Sequence, residues 1–114
     1  MFFVEITFRT RKLERTFSAA NALQKTYGAR MTRVIMMRMA VLKAARSLGL
    51  VPTTPPDRRH QLSGDRDEEF AVDLVHPYRL LFEANHEPAP RKDDGGIDAE
   101  QVTAITILDV VDYH

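Results

Sequence analysis

Four histidines and no cysteine set the range of side-chain chemistry open to this chain. His60, His76, His86 and His114 are never paired at a helix-turn or finger-like spacing, and no thiolate is present to complete a site, so neither a structural zinc nor a catalytic metal is expected. Gly64 precedes Asp65 rather than a Lys-Ser pair, and Gly95-Gly96 stands among acids that would repel phosphate, which sets aside nucleotide cofactors of the P-loop or Rossmann kind. Proton transfer and charge stabilisation remain. Asp112, Tyr113 and His114 follow directly on an apolar run. Two readings are open for them: the polar end of a strand, or an acid, a phenol and an imidazole aimed at one place, where they could move protons and stabilise developing charge. His60, next to Arg58 and Arg59, is either a half-exposed structural histidine or a second proton carrier, since imidazole titrates near neutrality. Arg79 stands on a strand opposite in face to Leu80 and Phe82. It is either a solvated cation or a planar fork able to clamp a phosphate.

The charge balance at first argues against an anionic partner, because 16 basic residues cancel 16 acidic ones. The distribution reverses that inference. Residues 1–60 carry twelve Lys and Arg against three Asp and Glu, a net of +9, and the remainder carries the compensating −9. An asymmetry of this size marks an interaction surface. At 114 residues, 44% hydrophobic and 28% charged, the chain suits one domain spanning residues 1–114 with a single modest core. The absence of cysteine, of a signal-peptide pattern and of any apolar stretch of spanning length leads to the expectation of a cytoplasmic protein with no membrane partner.

The elements that must position these residues follow from periodicity. Phe2, Val4, Ile6 and Phe8 alternate with Phe3, Glu5, Thr7 and Arg9, predicting a first strand. Leu13, Phe17, Ala20, Leu23 and Tyr27 form a helical stripe that Gly28 can end. Val34, Met37, Val41, Ala45 and Leu48 form a second, with Thr32 as N-cap and Gly49 as stop, widened by Ile35, Met39 and Leu42. Together they predict a helical hairpin. Three prolines in Val51–Arg59 make an extended connector to His60. Phe70–Val75 and Arg79–Ala84 predict a hairpin around His76-Pro77. Residues 86–101 read as a mobile acidic loop outside the core, and Val102–Val111 as a central strand buried on both faces. The fold class is α+β, in the order β-α-α-β-β-β, with the helices packed on a twisted, mainly antiparallel sheet.

Three segments in order, HQLSGDRDEEFAVDL from His60, PYRLLFE from Pro77 and the terminal ILDVVDYH, resemble the HigB branch of the RelE/ParE superfamily of bacterial toxins. The resemblance implies a RelE-like microbial RNase fold and the toxin half of a type II toxin-antitoxin pair, a ribosome-dependent endoribonuclease that cleaves mRNA without metal. It implies His60, Arg79, Asp112, Tyr113 and His114 as catalytic residues. His60 and His114 are the acid and base in either order, Arg79 the phosphate stabiliser, Tyr113 a stacking or proton-bridging group and Asp112 the group that orients a histidine. Arg58, Arg59 and Arg66 are the expected RNA contacts. The expected partners are a helix-turn-helix antitoxin, the ribosome and its mRNA, and operator DNA through the antitoxin alone. Two rival readings stand beside it: a ParE-like toxin that inhibits a topoisomerase without nuclease chemistry, and a decayed toxin acting as a regulatory partner.

Overall fold

The computed structural model describes residues 3–64 and 68–112. It is α+β, with strand β1 (Glu5–Phe8), helices α1 (Arg11–Thr16) and α2 (Ala20–Ala44), strands β2 (His60–Gln61), β3 (Glu69–Asp73), β4 (Tyr78–Ala84) and β5 (Ala104–Asp112), and two short 3-10 turns at Leu48–Leu50 and Ala99–Gln101. The five strands form one mixed sheet in the order β1-β5-β4-β3-β2. β1 runs parallel to β5, with Thr7 beside Thr106, and the other three pairings are antiparallel. No helix of the described residues is long and apolar enough to cross a membrane.

The first helical stripe is interrupted. Thr10 caps α1, its Oγ1 accepting from the Leu13 amide at 3.1 Å. The helix ends after one and a half turns, where the Ser18 hydroxyl donates to the Arg15 carbonyl at 2.7 Å and so competes with the backbone ladder. That break turns Phe17 back onto Phe8 of β1, ring centroids 5.4 Å apart. Within α2, Gly28 takes φ 84°, ψ 167°, a region essentially closed to side-chain-bearing residues. The chain reverses there: Ala20 and Leu23 line the same cleft as Met39, Ala40 and Lys43. A straight helix would hold Ala20 and Lys43 about 34 Å apart.

The second half of α2 buries Met31, Ile35, Met39 and Leu42 against the sheet, while Met37 is exposed. Ala45 and Leu48 are buried as well, and Val34 and Val41 are half-buried against the core, so of the predicted stripe Met37 alone faces solvent. Thr32 is not a cap either, because the helical segment starts immediately after Gly28 and holds Thr32 buried in its interior. The helix stops at Ala44, short of Gly49. The Ala45 carbonyl then accepts from the Val4 amide at 2.8 Å.

The sheet face toward α2 carries Phe70, Val72, Leu80, Phe82, Ile105 and Ile107 in the main core, and Phe70 stacks on Phe82 at 5.9 Å. Burying side chains of this size contributes about 1.5–3 kcal/mol each. The outer face holds a smaller cluster of Leu62, Ala71, Leu81 and Leu108, with Val111 against it. β5 lies inside the sheet as expected, but its outer face is only lightly covered, with Asp109 exposed. The segment expected to lie outside the core is instead folded onto it. Ile97 is 3% exposed within the main cluster, Arg91 bridges to Ile97 and ion-pairs with Glu68, and His86 Nε2 accepts from the Thr103 and Ala104 amides. Ile97 supplies the buried anchor, with Ala89 and Ala99 packed against the same cluster.

Candidate functional site

Cross-strand register builds a polar cluster on the outer face of the sheet. His60 on the edge strand β2 pairs with Ala71 of β3, and Asp73 lies two residues further along the same face. Asp73 pairs with Arg79 of β4, and Arg79 with Val111 of β5. Alternation along each strand thus puts His60, Asp73 and Arg79 on one side, beside the small cluster of Leu62, Ala71 and Leu81.

Asp73 is the centre of this arrangement. Arg58 Nε donates to Asp73 Oδ2 at 2.7 Å and Nη2 to Oδ1 at 3.3 Å, a two-pronged contact. Arg79 Nε lies 3.6 Å from Oδ1 of the same carboxylate. Hydrogen bonding to Asp73, reinforced by its charge, pushes the Arg58 guanidinium above its ordinary pKa. One carboxylate therefore holds two guanidinium groups. Arg58 adopts φ 50°, a left-handed conformation that costs a bulky residue about 1–2 kcal/mol. In that conformation its carbonyl accepts from His60 Nδ1–H at 2.8 Å. With Nδ1 donating, the neutral ring presents the Nε2 lone pair, and this atom lies 3.5 Å from Arg79 Nη1. A shallow cleft of about 60 Å³ runs between Arg58, Asp73, Tyr78 and Arg79. It is too small to enclose a nucleotide, so a ligand would rest on the face with its anionic group against the arginines.

The connector is held from behind by a buried pair. Arg38 of α2 is 7% exposed, and its Nε donates to the Asp73 carbonyl at 2.6 Å. The same Nε lies 3.9 Å from Oδ1 of Asp57, a residue 6% exposed whose Oδ1 accepts no hydrogen bond. The Asp57 carbonyl accepts from the Asp73 amide at 2.9 Å. Arg38 thus ties the helix layer to the two segments carrying Arg58, His60 and Asp73.

Of the residues expected from the sequence, the structure brings together His60, Arg79 and Arg58. Arg59 is turned elsewhere. Its Nε donates to the Val51 carbonyl at 3.0 Å, and burial pushes its pKa down against the opposing effect of Glu100, so it braces the connector. Asp112 stands opposite Tyr78 at the end of β5, and alternation puts it on the other face from Val111 and Arg79. Arg66, Tyr113 and His114 lie outside the described residues. Sequence reasoning missed Asp73, Arg38 and Asp57. A hairpin turning at His76-Pro77 pairs residue 73 with residue 79, so Asp73 could have been found from the register. Nothing in the sequence distinguishes Arg38 from the other cations of its helix.

Comparison with family models, with curated proteins and with solved structures finds no match to this chain.

Proposed function

We propose that this protein is a HigB-like endoribonuclease with a RelE-like fold, the toxin of a type II toxin-antitoxin pair acting on ribosome-bound mRNA in the cytoplasm. The observation that carries the reading is His60 Nε2 facing the Arg79 guanidinium on an open sheet face, with Asp73 holding Arg58 alongside. RNA brings its own nucleophile, so the protein has only to position the 2′-hydroxyl, move two protons and stabilise one added negative charge. The phosphodiester lies against Arg58 and Arg79. The 2′-oxygen attacks phosphorus and gives up its proton to a base, the bond to the 5′-oxygen breaks, and that oxygen takes a proton from an acid. The products are a 2′,3′-cyclic phosphate and a 5′-hydroxyl. His60 supplies one of the two proton transfers, and the resemblance assigns His114 the other, with Tyr113 in support. An antitoxin of helix-turn-helix type is the proposed partner, through which operator DNA is reached.

The test is induction of the protein in a bacterial host with mapping of mRNA 5′ ends, comparing wild type with His60→Ala and Arg79→Met. Cuts within codons that disappear in both variants are expected. Growth arrest with intact mRNA and stalled replication would replace this reading with topoisomerase inhibition, and cleavage undiminished in both variants would remove the cluster from the chemistry.

A further inference from the structure

The solvent face of the second half of α2 has an unusual composition. Arg30, Arg33, Met36, Met37, Ala40 and Lys43 recur at three- and four-residue spacing, and all are exposed. Met36 and Met37 are 49% and 54% exposed, among the largest apolar surfaces the chain presents to solvent. A helix face that only meets water carries acids and bases interspersed, since pairs four residues apart stabilise it. Here no Asp or Glu occurs between Glu14 and Asp57. Among the described residues, Arg30, Arg33 and Lys43 have no carboxylate partner within ion-pair distance. Two clefts flank the methionines. One, of about 320 Å³, runs between the two arms of α2, and one of about 540 Å³ lies beside Arg30, Arg33 and Val34; Met36 lines both.

We infer that this face of α2 is a docking groove for an acidic amphipathic helix of a partner protein. The face from Ala29 to Ala44 spans about 22 Å, the length of four helical turns, so it suits a helix of similar length laid along it. Unbranched thioethers repack around irregular apolar side chains, which fits Met36 and Met37 as the central contacts. Arg30, Arg33 and Lys43 fall along the same stripe, where the carboxylates flanking the partner's apolar stripe meet them and fix its orientation. A phosphate backbone would reward the cations but leave both methionines in water, and so fits the face less well. The inference does not depend on the cleavage chemistry proposed above, because Met36, Met37, Arg30 and Arg33 belong to the solvent face of α2, whereas His60 and Arg79 lie on the sheet face that does not pack against the helices.

The experiment uses three fluorescein-labelled 18-residue peptides: a leucine stripe flanked by glutamates, the same composition with the stripe scrambled, and the stripe flanked by lysines. Anisotropy with the full chain is expected to show micromolar binding of the first alone, weakened several-fold by raising salt from 0.1 to 0.4 M. Met36→Ser/Met37→Ser and Arg30→Glu/Arg33→Glu are each expected to weaken it tenfold or more, and the second pair to bind the lysine peptide instead. His60→Ala should bind the glutamate peptide as wild type does, whatever its effect on RNA cleavage. Circular dichroism establishes that the exposed-site variants fold. Equal binding of the scrambled peptide, or no exchange of preference on charge reversal, overturns the inference. So does a face that ignores all three peptides but binds a 12-nucleotide RNA or anionic phosphatidylserine vesicles through Arg30 and Arg33.

Discussion

Replacing Arg38 by methionine keeps most of the buried volume but leaves the Asp57 carboxylate without its cation. At 3.9 Å, two unit charges in an environment of effective dielectric about 20 attract by about 4 kcal/mol. The hydrogen bond from Nε to the Asp73 carbonyl, at 2.6 Å, adds about 1.5–3 kcal/mol as a charged-donor bond. Against this, the variant no longer has to strip water from a guanidinium, a penalty of several kcal/mol. The net matches what breaking one partner of a buried pair ordinarily costs, about 3–5 kcal/mol. For a chain of this size that corresponds to a fall in Tm of about 12–20 °C. Thermal unfolding followed by circular dichroism measures it, with urea midpoints as a second reading. The double variant Arg38→Met/Asp57→Asn buries no unpaired charge and should recover at least half of the loss. Arg38→Lys keeps the charge and loses the fork, so it should fall between wild type and Arg38→Met even if the methionine variant does not fold. A loss below about 1 kcal/mol in Arg38→Met, or a double variant as unstable as the two single losses added together, would refute the reasoning.

Three further outcomes are expected. Gly28→Ala has open space for its Cβ, so its cost is purely conformational, about 1–3 kcal/mol by urea unfolding, and a neutral result would mean that the reversal tolerates another backbone angle. Thr32→Val removes a buried hydroxyl that has no hydrogen-bond partner and should leave stability unchanged or raise it by about 1 kcal/mol; a loss of that size would reveal a partner for Oγ1. Tyr27 is held above the ordinary phenol value of 10.0 by burial and then by the negative charge of Asp109, so its neutral form is favoured on folding. Its contribution is present below pH 10 and lost as pH rises through the raised folded value. Tyr27→Phe should therefore lose less stability than wild type between pH 9 and pH 11.5, and identical losses would contradict the shift.

Periodicity located β1, β3, β4, β5 and the reversal at Gly28 because these are local consequences of backbone geometry, but not the edge strand β2, whose two residues are too few to show an alternation. It misplaced Met37 alone in the second helical stripe: Ile35, Met39, Leu42, Ala45 and Leu48 are buried and Val34 and Val41 half-buried, but the apolar run from Val34 to Met37 satisfies more than one stripe, and only the neighbouring layer decides which members are covered. The loop before β5 was misplaced for a related reason. Composition over sixteen mostly polar residues outweighed Ile97, although one buried isoleucine and a few backbone hydrogen bonds suffice to fold such a segment down. At the site, His60, Arg79 and Arg58 were legible by residue type and by motif resemblance. Asp73 was legible only through the register that the turn at His76-Pro77 sets, which pairs it with Arg79, and its contact with Arg58 of the connector has no sequence signature. Arg59, adjacent to Arg58 and chemically identical, shows the limit of charge counting: the backbone directs one guanidinium to Asp73 and the next to the Val51 carbonyl.

The placement of β5 between β1 and β4 also bears on how the chain acquires this structure. Among the described residues β1 pairs with β5 alone, and the Thr7–Thr106 contact closes a separation of 99 residues. During synthesis β1 leaves the ribosome long before its partner exists, and β4 waits with one edge open until the same strand arrives. Helices and the β3–β4 hairpin can form early, since their contacts are local, but the sheet becomes continuous only when residues 104–112 insert. Until then the nascent chain carries unpaired strand edges and an unfinished core, the state in which aggregation and proteolysis compete most strongly with folding.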